Sequence, residues 1–257
     1  MPDARRGKDR QGDRRREWRR ETKSEVVLYG WHTVTAALKN PARRIRRLLA
    51  TENALRRLAE EEIVSPVEPE LMRPDALAAR LTPDAVHQGL ILEADPLPSP
   101  AVEDLPASGT VLVLDQITDP HNVGAILRTA AAFAVCAVIT TARHSPEATG
   151  VLAKSASGAL ELVPIVLVQN LARALEALKE RGFLTVGLDS AAEDDLAATA
   201  LHLPLALVLG AEGRGLRQLT GRTCDRLARL ALPGEIKSLK VSNAAAVALY
   251  IASRATS

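Results

Sequence analysis

Between residues 111 and 130 the chain reads VLVLDQITDPHNVGAILRTA, and the side chains there able to do chemistry are Asp115, Asp119, Asn122 and Arg128. Asn122 offers an amide that donates and accepts, Gly124 lets another backbone or a ligand come close, and Arg128 carries a charge among Ile126, Leu127 and Ala130 that needs a partner. The chemistry on offer is hydrogen bonding and charge pairing near a helix start. Taken alone, a capped helix with one solvated arginine would also account for these residues. The elements that must position them are legible from the flanks. Val111 to Leu114 is an apolar run too short for anything but a buried strand. Pro120 keeps Asp119 out of helical geometry, and Asn122 is a suitable N-cap for a helix from Val123 to Phe133. The loop therefore sits at the carboxyl end of a strand, where open α/β sheets place their ligands.

Two later loops repeat the arrangement. Gly210-Ala211-Glu212-Gly213-Arg214-Gly215 follows the apolar run Leu205 to Leu209; its glycines allow backbone amides near a ligand, and Glu212 adds one carboxylate. It is not the dinucleotide-binding fingerprint, because Gln218 stands where the third glycine would fall. Residues 232–243, LPGEIKSLKVSN, supply a Pro233-Gly234 turn, hydroxyls at Ser238 and Ser242, and a cap for the final helix at either Ser242 or Asn243. Each loop alone reads as an ordinary turn, yet all three fall at strand ends of one sheet. Around them the pattern predicts strands at 135–140, 162–168, 183–188 and 227–232, and helices at 146–157, 171–181 and 242–254. Strands alternating with helices make residues 110–257 an α/β domain with a mostly parallel sheet covered on both faces.

Before it lies a smaller α/β module, residues 26–94, with strands at 26–29, 45–50 and 89–92 and helices at 31–38, 53–61 and 74–81. Lys39, Arg43, Arg44, Arg46, Arg47, Arg56 and Arg57 crowd part of it, and Tyr29, Trp31 and His32 open it, with Trp31 expected to pack inward rather than stack on a base. The module looks able to hold RNA; nothing in it looks catalytic. Residues 95–109 include Pro96, Pro98, Pro100 and Pro106 and read as a semi-extended linker. The N-terminal tail, residues 1–25, has ten Lys and Arg against five Asp and Glu up to Lys23, so it carries +5 while the remaining 23 basic and 26 acidic residues carry −3. Such a tail is expected to be disordered and to hold a polyanion through phosphate contacts.

The whole chain, 257 residues with 47% hydrophobic content, can bury substantial cores. Cys136 and Cys224 form no motif and suit packing roles in a reducing compartment. No membrane span and no secretory signal is expected, so the location is expected to be cytoplasmic. The histidines, among them His87, His144 and His202, have no metal-ligand spacing, and no metal is expected.

Asp115, Asp119-Pro120, Asn122, Gly124-Ala125-Ile126 and Arg128-Thr129-Ala130 resemble the first motif of the SpoU (TrmH-like) RNA 2'-O-ribose methyltransferases of the SPOUT superfamily. Leu209 to Gly213 with Gly215-Leu216 resembles the second motif, and Ser238-Leu239, Val241-Ser242 and the Ala244 to Ala246 helix the third, in the family's order and spacing. Gly30, the Val34 to Leu38 helix and His87-Gln88-Gly89 resemble the L30e-like substrate domain of the 23S rRNA guanosine methyltransferase branch. The resemblance implies a deep trefoil knot in the C-terminal domain, S-adenosylmethionine bound there, and an active site completed across a homodimer. It places Leu209, Gly210, Leu230, Leu232 and Leu239 around the cofactor. Arg128 would bind the target phosphate and take part in deprotonating the ribose hydroxyl, although an arginine pKa of about 12 or higher makes it a poor general base. Asn122 would orient the arginine or ribose, Glu212 would hold the arginine, and Ser238 would support the site.

One position departs from the family pattern: Lys240 stands where an asparagine is usual. A donor-only cation beside the sulfonium would lower activity, serve as an unusual base, or turn to solvent, in that order of expectation. The alternatives to a 23S rRNA enzyme are an impaired or noncatalytic RNA-binding protein on the same scaffold and a tRNA 2'-O-methyltransferase.

Overall fold

The computed structural model describes residues 25–143 and 150–256. The basic tail before Glu25, His144 and the expected helix start at Pro146 lie outside the described residues.

The N-terminal module is a four-stranded sheet in the order β1 (Val26–Tyr29), β4 (Leu90–Ala94), β2 (Ile45–Ala50), β3 (Glu70–Leu71). Its helices are α1 (Trp31–Lys39), α2 (Glu52–Glu60) and α3 (Pro74–Ala78). Trp31, Val34 and Ala37 recur at helical spacing and are buried, so α1 packs on the sheet and Trp31 lies inside, with the Arg57 guanidinium 3.8 Å above its ring. Thr51 caps α2 by accepting from the Ala54 amide.

The C-terminal sheet runs β10 (Arg226–Ala228), β8 (Leu184–Leu188), β9 (Leu205–Gly210), β5 (Thr110–Asp115), β6 (Ala137–Thr141), β7 (Ile165–Val168), with every neighbouring pair parallel. Two cores flank it. Leu112 and Leu114 of β5 join one core with Ile126 and Leu127 of α4 (Pro120–Ala132), Leu152 of α5 (Gly150–Ala156) and Leu249 of α8 (Val241–Ala255). Val111 and Val113, pointing the other way, join Leu171, Leu175 and Leu178 of α6 (Leu171–Glu180) in the second. This two-faced burial is why β5 and β9 read as unbroken apolar runs. A last short helix, α7 (Gln218–Thr223), follows the glycine-rich loop.

Several expected bounds change, each for a local reason. The strand expected at 162–168 starts only at Ile165, after a 3-10 turn at Ala159–Glu161. Pro164 has no amide for a ladder, and its carbonyl accepts from Val138 instead. The strand expected at 227–232 ends at Ala228, because Arg229 bonds to the 194–196 segment. The helix expected to reach Leu81 stops at Ala78, and β3 is additional. Within the Pro-rich stretch, a turn at Val102–Asp104 buries Val102 and Leu105 against α6, and Arg181 donates to both their carbonyls.

The two domains meet where β1 and α1 pack against α5 and the 3-10 turn at Ala159–Glu161. Arg43 meets Glu161 in a bidentate pair with both side chains 2% exposed, Nη2 to Oε1 at 2.5 Å and Nε to Oε2 at 3.1 Å. Asn40 adds a hydrogen bond to the same carboxylate, and Thr33 donates to the Ala153 carbonyl of α5. Of the seven basic residues expected to crowd one RNA-facing part of the module, Arg43, Arg44, Arg46, Arg47, Arg56 and Arg57 all pair with acidic side chains of the chain itself.

Candidate active site

The three loops singled out in the sequence converge at the carboxyl ends of the parallel strands. Helix α4 begins at Pro120, with Asp119 as N-cap accepting from the His121 amide at 3.0 Å. The cap expected at Asn122 is therefore three residues earlier: proline's fixed φ suits the first helical position, and Asp119 supplies the acceptor. Asn122 lies in the first turn, buried, with Nδ2 donating to Glu212 Oε1 at 3.4 Å. Its Oδ1 is buried with no donor among the described residues. Gly124 does admit a close neighbour, the backbone of α5: a Cβ there would overlap Ser155 Cβ and lie 2.9 Å from the Ala156 amide nitrogen.

Glu212 Oε1 also accepts from the Val241 amide at 3.0 Å, so the carboxylate caps α8. Ser242 and Asn243, the expected caps, lie inside that helix; Lys240 is at the cap position and makes no capping bond. One carboxylate thus ties together all three loops. Both bonds are to Oε1, and within a single chain no ion pair between Glu212 and Arg128, which the resemblance implied, is seen among the described residues. Behind it, Asp115 is 1% exposed and accepts from Arg217 Nε at 2.7 Å and from the Arg217 amide at 2.9 Å, anchoring the start of α7 to the end of β5. The glycine-rich loop turns back on itself: a Cβ on Gly210 would overlap the carbonyl carbon of Gly215.

Beside these groups is a cavity of about 390 Å³. Leu209, Gly210, Leu230, Leu232 and Leu239 all line it, as do Glu212 and Ser238. Sequence reasoning missed Leu188, Asp189 and Ser190 at the end of β8. The signal was present, since Asp189-Ser190 directly follows an expected strand and strand ends had supplied the other three loops. Arg128 and Lys240 do not line the cavity. Arg128, six residues beyond Asn122, faces another side of α4 and is exposed. Lys240 is exposed as well. Cys224, behind this region, is kept unreactive: burial pushes its thiol up to about 12. Among the described residues no cluster of His, Cys, Asp and Glu could hold a metal ion, and no helix is long and apolar enough to cross a membrane.

Residues 109–250 match the SpoU rRNA Methylase family, and residues 27–100 match the RNA 2'-O ribose methyltransferase substrate binding family. The chain is 38% identical over 241 residues to the 23S rRNA (guanosine-2'-O-)-methyltransferase RlmB of Pseudomonas putida, spanning 88% of this chain and 95% of that one. To the protein of the same name from Vibrio cholerae it is 39% identical over 246 residues, 90% of this chain and 97% of that one. Among solved structures, the SpoU methyltransferase AviRb from Streptomyces viridochromogenes in complex with AdoMet has a TM-score of 0.76 at 24% identity, covering 93% of this chain and 92% of that chain. The chain belongs to the SpoU rRNA methylase family.

Proposed function

We propose that this protein is an S-adenosylmethionine-dependent RNA 2'-O-ribose methyltransferase acting on a guanosine of 23S rRNA. The observation that carries the reading is the strand-end cavity in which the Glu212 carboxylate joins Asn122 to the start of α8. The cavity fits the cofactor. Its volume, about 390 Å³, is that of a small-molecule site. Leucines at 209, 230, 232 and 239 give apolar walls for the adenosine, and the carboxylates of Asp189 and Glu212 suit a positive charge. When bound, S-adenosylmethionine supplies an electrophilic methyl group on a sulfonium.

The chain's own residues then have to align a ribose hydroxyl and relieve it of a proton. Asn122, fixed by Glu212, orients the ribose or the arginine; its orphaned Oδ1 is an acceptor for which the chain alone supplies no donor. Arg128, exposed and free of carboxylates among the described residues, binds the target phosphate, with deprotonation a secondary role. Ser238 supports the site from the cavity wall, and Lys240, outside that wall, leaves the sulfonium unopposed by its charge.

The reading extends to architecture. Residues 26–94 form an L30e-like substrate-binding domain, 95–109 the linker and 110–257 the methyltransferase domain, with the tail of residues 1–25 adding phosphate contacts. We extend the reading to a deep trefoil knot in the latter domain on the strength of the family membership. A homodimer brings one protomer's Arg128 to the loops of its partner; the exposure of Arg128, Val247 and Tyr250 supports this. The protein works in the cytoplasm, where the rRNA is.

The test is methyl transfer from labelled S-adenosylmethionine to unmodified 23S rRNA and, separately, tRNA, with the product mapped by resistance of the modified linkage to alkali. Protection at one rRNA guanosine, lost in Arg128→Ala, is expected. Transfer to tRNA alone would replace the substrate, and transfer to neither, restored by Lys240→Asn, would make this chain an impaired member of the family.

A further inference from the structure

The motif His87-Gln88-Gly89 has no part in the mechanism above, yet it is built with care. Gln88 is held at φ +51°, a backbone conformation uncommon outside glycine. His87 Nδ1 accepts from the Gly89 amide at 3.0 Å and fixes the turn. The result is that Gln88 Oε1 accepts two hydrogen bonds, from the Trp31 amide at the start of α1 at 3.0 Å and from Lys154 Nζ of α5 at 2.9 Å. Trp31 and Lys154 belong to opposite sides of the domain junction. Gly30 is part of the same fit, since a Cβ there would overlap Lys154 Nζ.

Lys154 is in an unusual position for a cation. It is half-buried, burial alone holds its ammonium below the usual lysine range, and no carboxylate among the described residues pairs with it. Its neighbour Ser155 shares a hydrogen bond of 3.1 Å with His121 Nδ1, and His121 directly precedes Asn122. Three separate hydrogen bonds, Gln88 to Lys154, Ser155 to His121 and Asn122 to Glu212, place α5 and its Lys154 between the N-terminal module and the start of α4. A desolvated ammonium with only a neutral amide beside it is poorly compensated in the free protein. A phosphate would compensate it.

We infer that Lys154, lying beside Gln88 at the domain junction, grips an RNA backbone phosphate near the target nucleotide, so that the strand reaches the active site past α5 and the start of α4. The inference rests on the proposed RNA substrate and adds a positioning residue that belongs to neither the cofactor cavity nor the catalytic motifs. Gln88 is then a docking residue, and Lys154 the phosphate contact.

The experiment measures binding of the full chain to an unmodified 23S rRNA transcript across a series of salt concentrations, together with KM for RNA, kcat and cofactor affinity. Lys154→Gln should weaken RNA binding roughly tenfold, the scale of one charge-assisted contact. It should also flatten the slope of log K against log salt by about 0.7 to 0.9, the release of one phosphate's counterions. KM for RNA should rise, with kcat and cofactor affinity near wild type, and Lys154→Arg should restore the slope. Gln88→Ala removes the docking partner but keeps the cation, so its slope should stay at the wild-type value. If Lys154→Gln leaves the slope unchanged, or Gln88→Ala lowers it equally, Lys154 serves only to dock the domains and the inference is overturned. A wild-type chain that binds the transcript without methylating it would sink the proposed function while leaving this comparison readable; one that binds no RNA would sink both.

Discussion

The arginines of the N-terminal module and the cations around the strand-end loops are the same residue types under opposite constraints. In the module, Arg43 is buried against Glu161, Arg47 reaches both Glu70 and Glu93, and Arg46 and Arg57 pair with Asp95 and Glu61. Around the loops, Arg128 and Lys154 meet no carboxylate among the described residues. A count of basic residues pointed to the module as the RNA grip. The module matches a substrate-binding family, and what each cation faces adds the loops and the junction to it: the buried Arg43 has little left to offer a phosphate, whereas uncompensated cations gain most from one.

The sharpest way to break that contrast is at the buried pair. Glu161→Ala leaves the Arg43 guanidinium buried without its counter-charge, and a loss of about 3–5 kcal/mol in urea unfolding is expected. A loss below about 1 kcal/mol, the range of surface pairs, would mean that the junction opens easily and that Arg43 is available to RNA after all. Next in size is Gly210→Ala, where the new methyl meets Gly215 backbone rather than a yielding side chain. A destabilisation of about 1–3 kcal/mol should accompany a clear fall in cofactor affinity measured by calorimetry; wild-type affinity would show that the loop does not form the pocket. Smaller still is Glu212→Ala, which removes the cap of α8 and the hold on Asn122. About 0.5–2 kcal/mol is expected, with faster hydrogen exchange at the Val241 amide. Protection there equal to wild type would count against the carboxylate as the tie between the loops.

These sizes also show which parts of the molecule a sequence can carry. The strands of the parallel sheet were legible because burial on both faces leaves unbroken apolar runs such as Leu205 to Leu209, and the three loops were legible as the polar breaks after them. Leu209, Gly210, Leu230, Leu232 and Leu239 were named through motif resemblance, and all five line the cavity. What stayed hidden depended on partners distant in the chain. Nothing near Val241 announces that Glu212, 29 residues earlier, will cap its helix, and nothing near Arg43 announces Glu161, 118 residues later. Asn122 looked like the better cap because amide caps are common, while Asp119-Pro120 formed one locally. Strand ends failed where a local rule was overlooked: Pro164 cannot donate to a ladder.

The smallest expected effect completes the contrast from its other side. Arg47 is paired twice, but its side chain is 41% exposed, so water competes for every bond it makes. The guanidinium holds the Glu70 carboxyl below its usual range. A carboxyl lowered in the folded state contributes stability above its unfolded pKa, about 4.3, and that contribution disappears as pH falls through the folded value. Arg47→Gln should therefore leave the unfolding midpoint at pH 7 close to wild type, and whatever difference exists should vanish in acid once Glu70 is protonated. RNA binding and its salt slope should be unchanged, because this guanidinium already has two carboxylates. A flattened salt slope in Arg47→Gln, as large as that expected for Lys154→Gln, would show that RNA displaces Glu70 and Glu93. The distinction between engaged and open cations would then fail where it is most exposed to test.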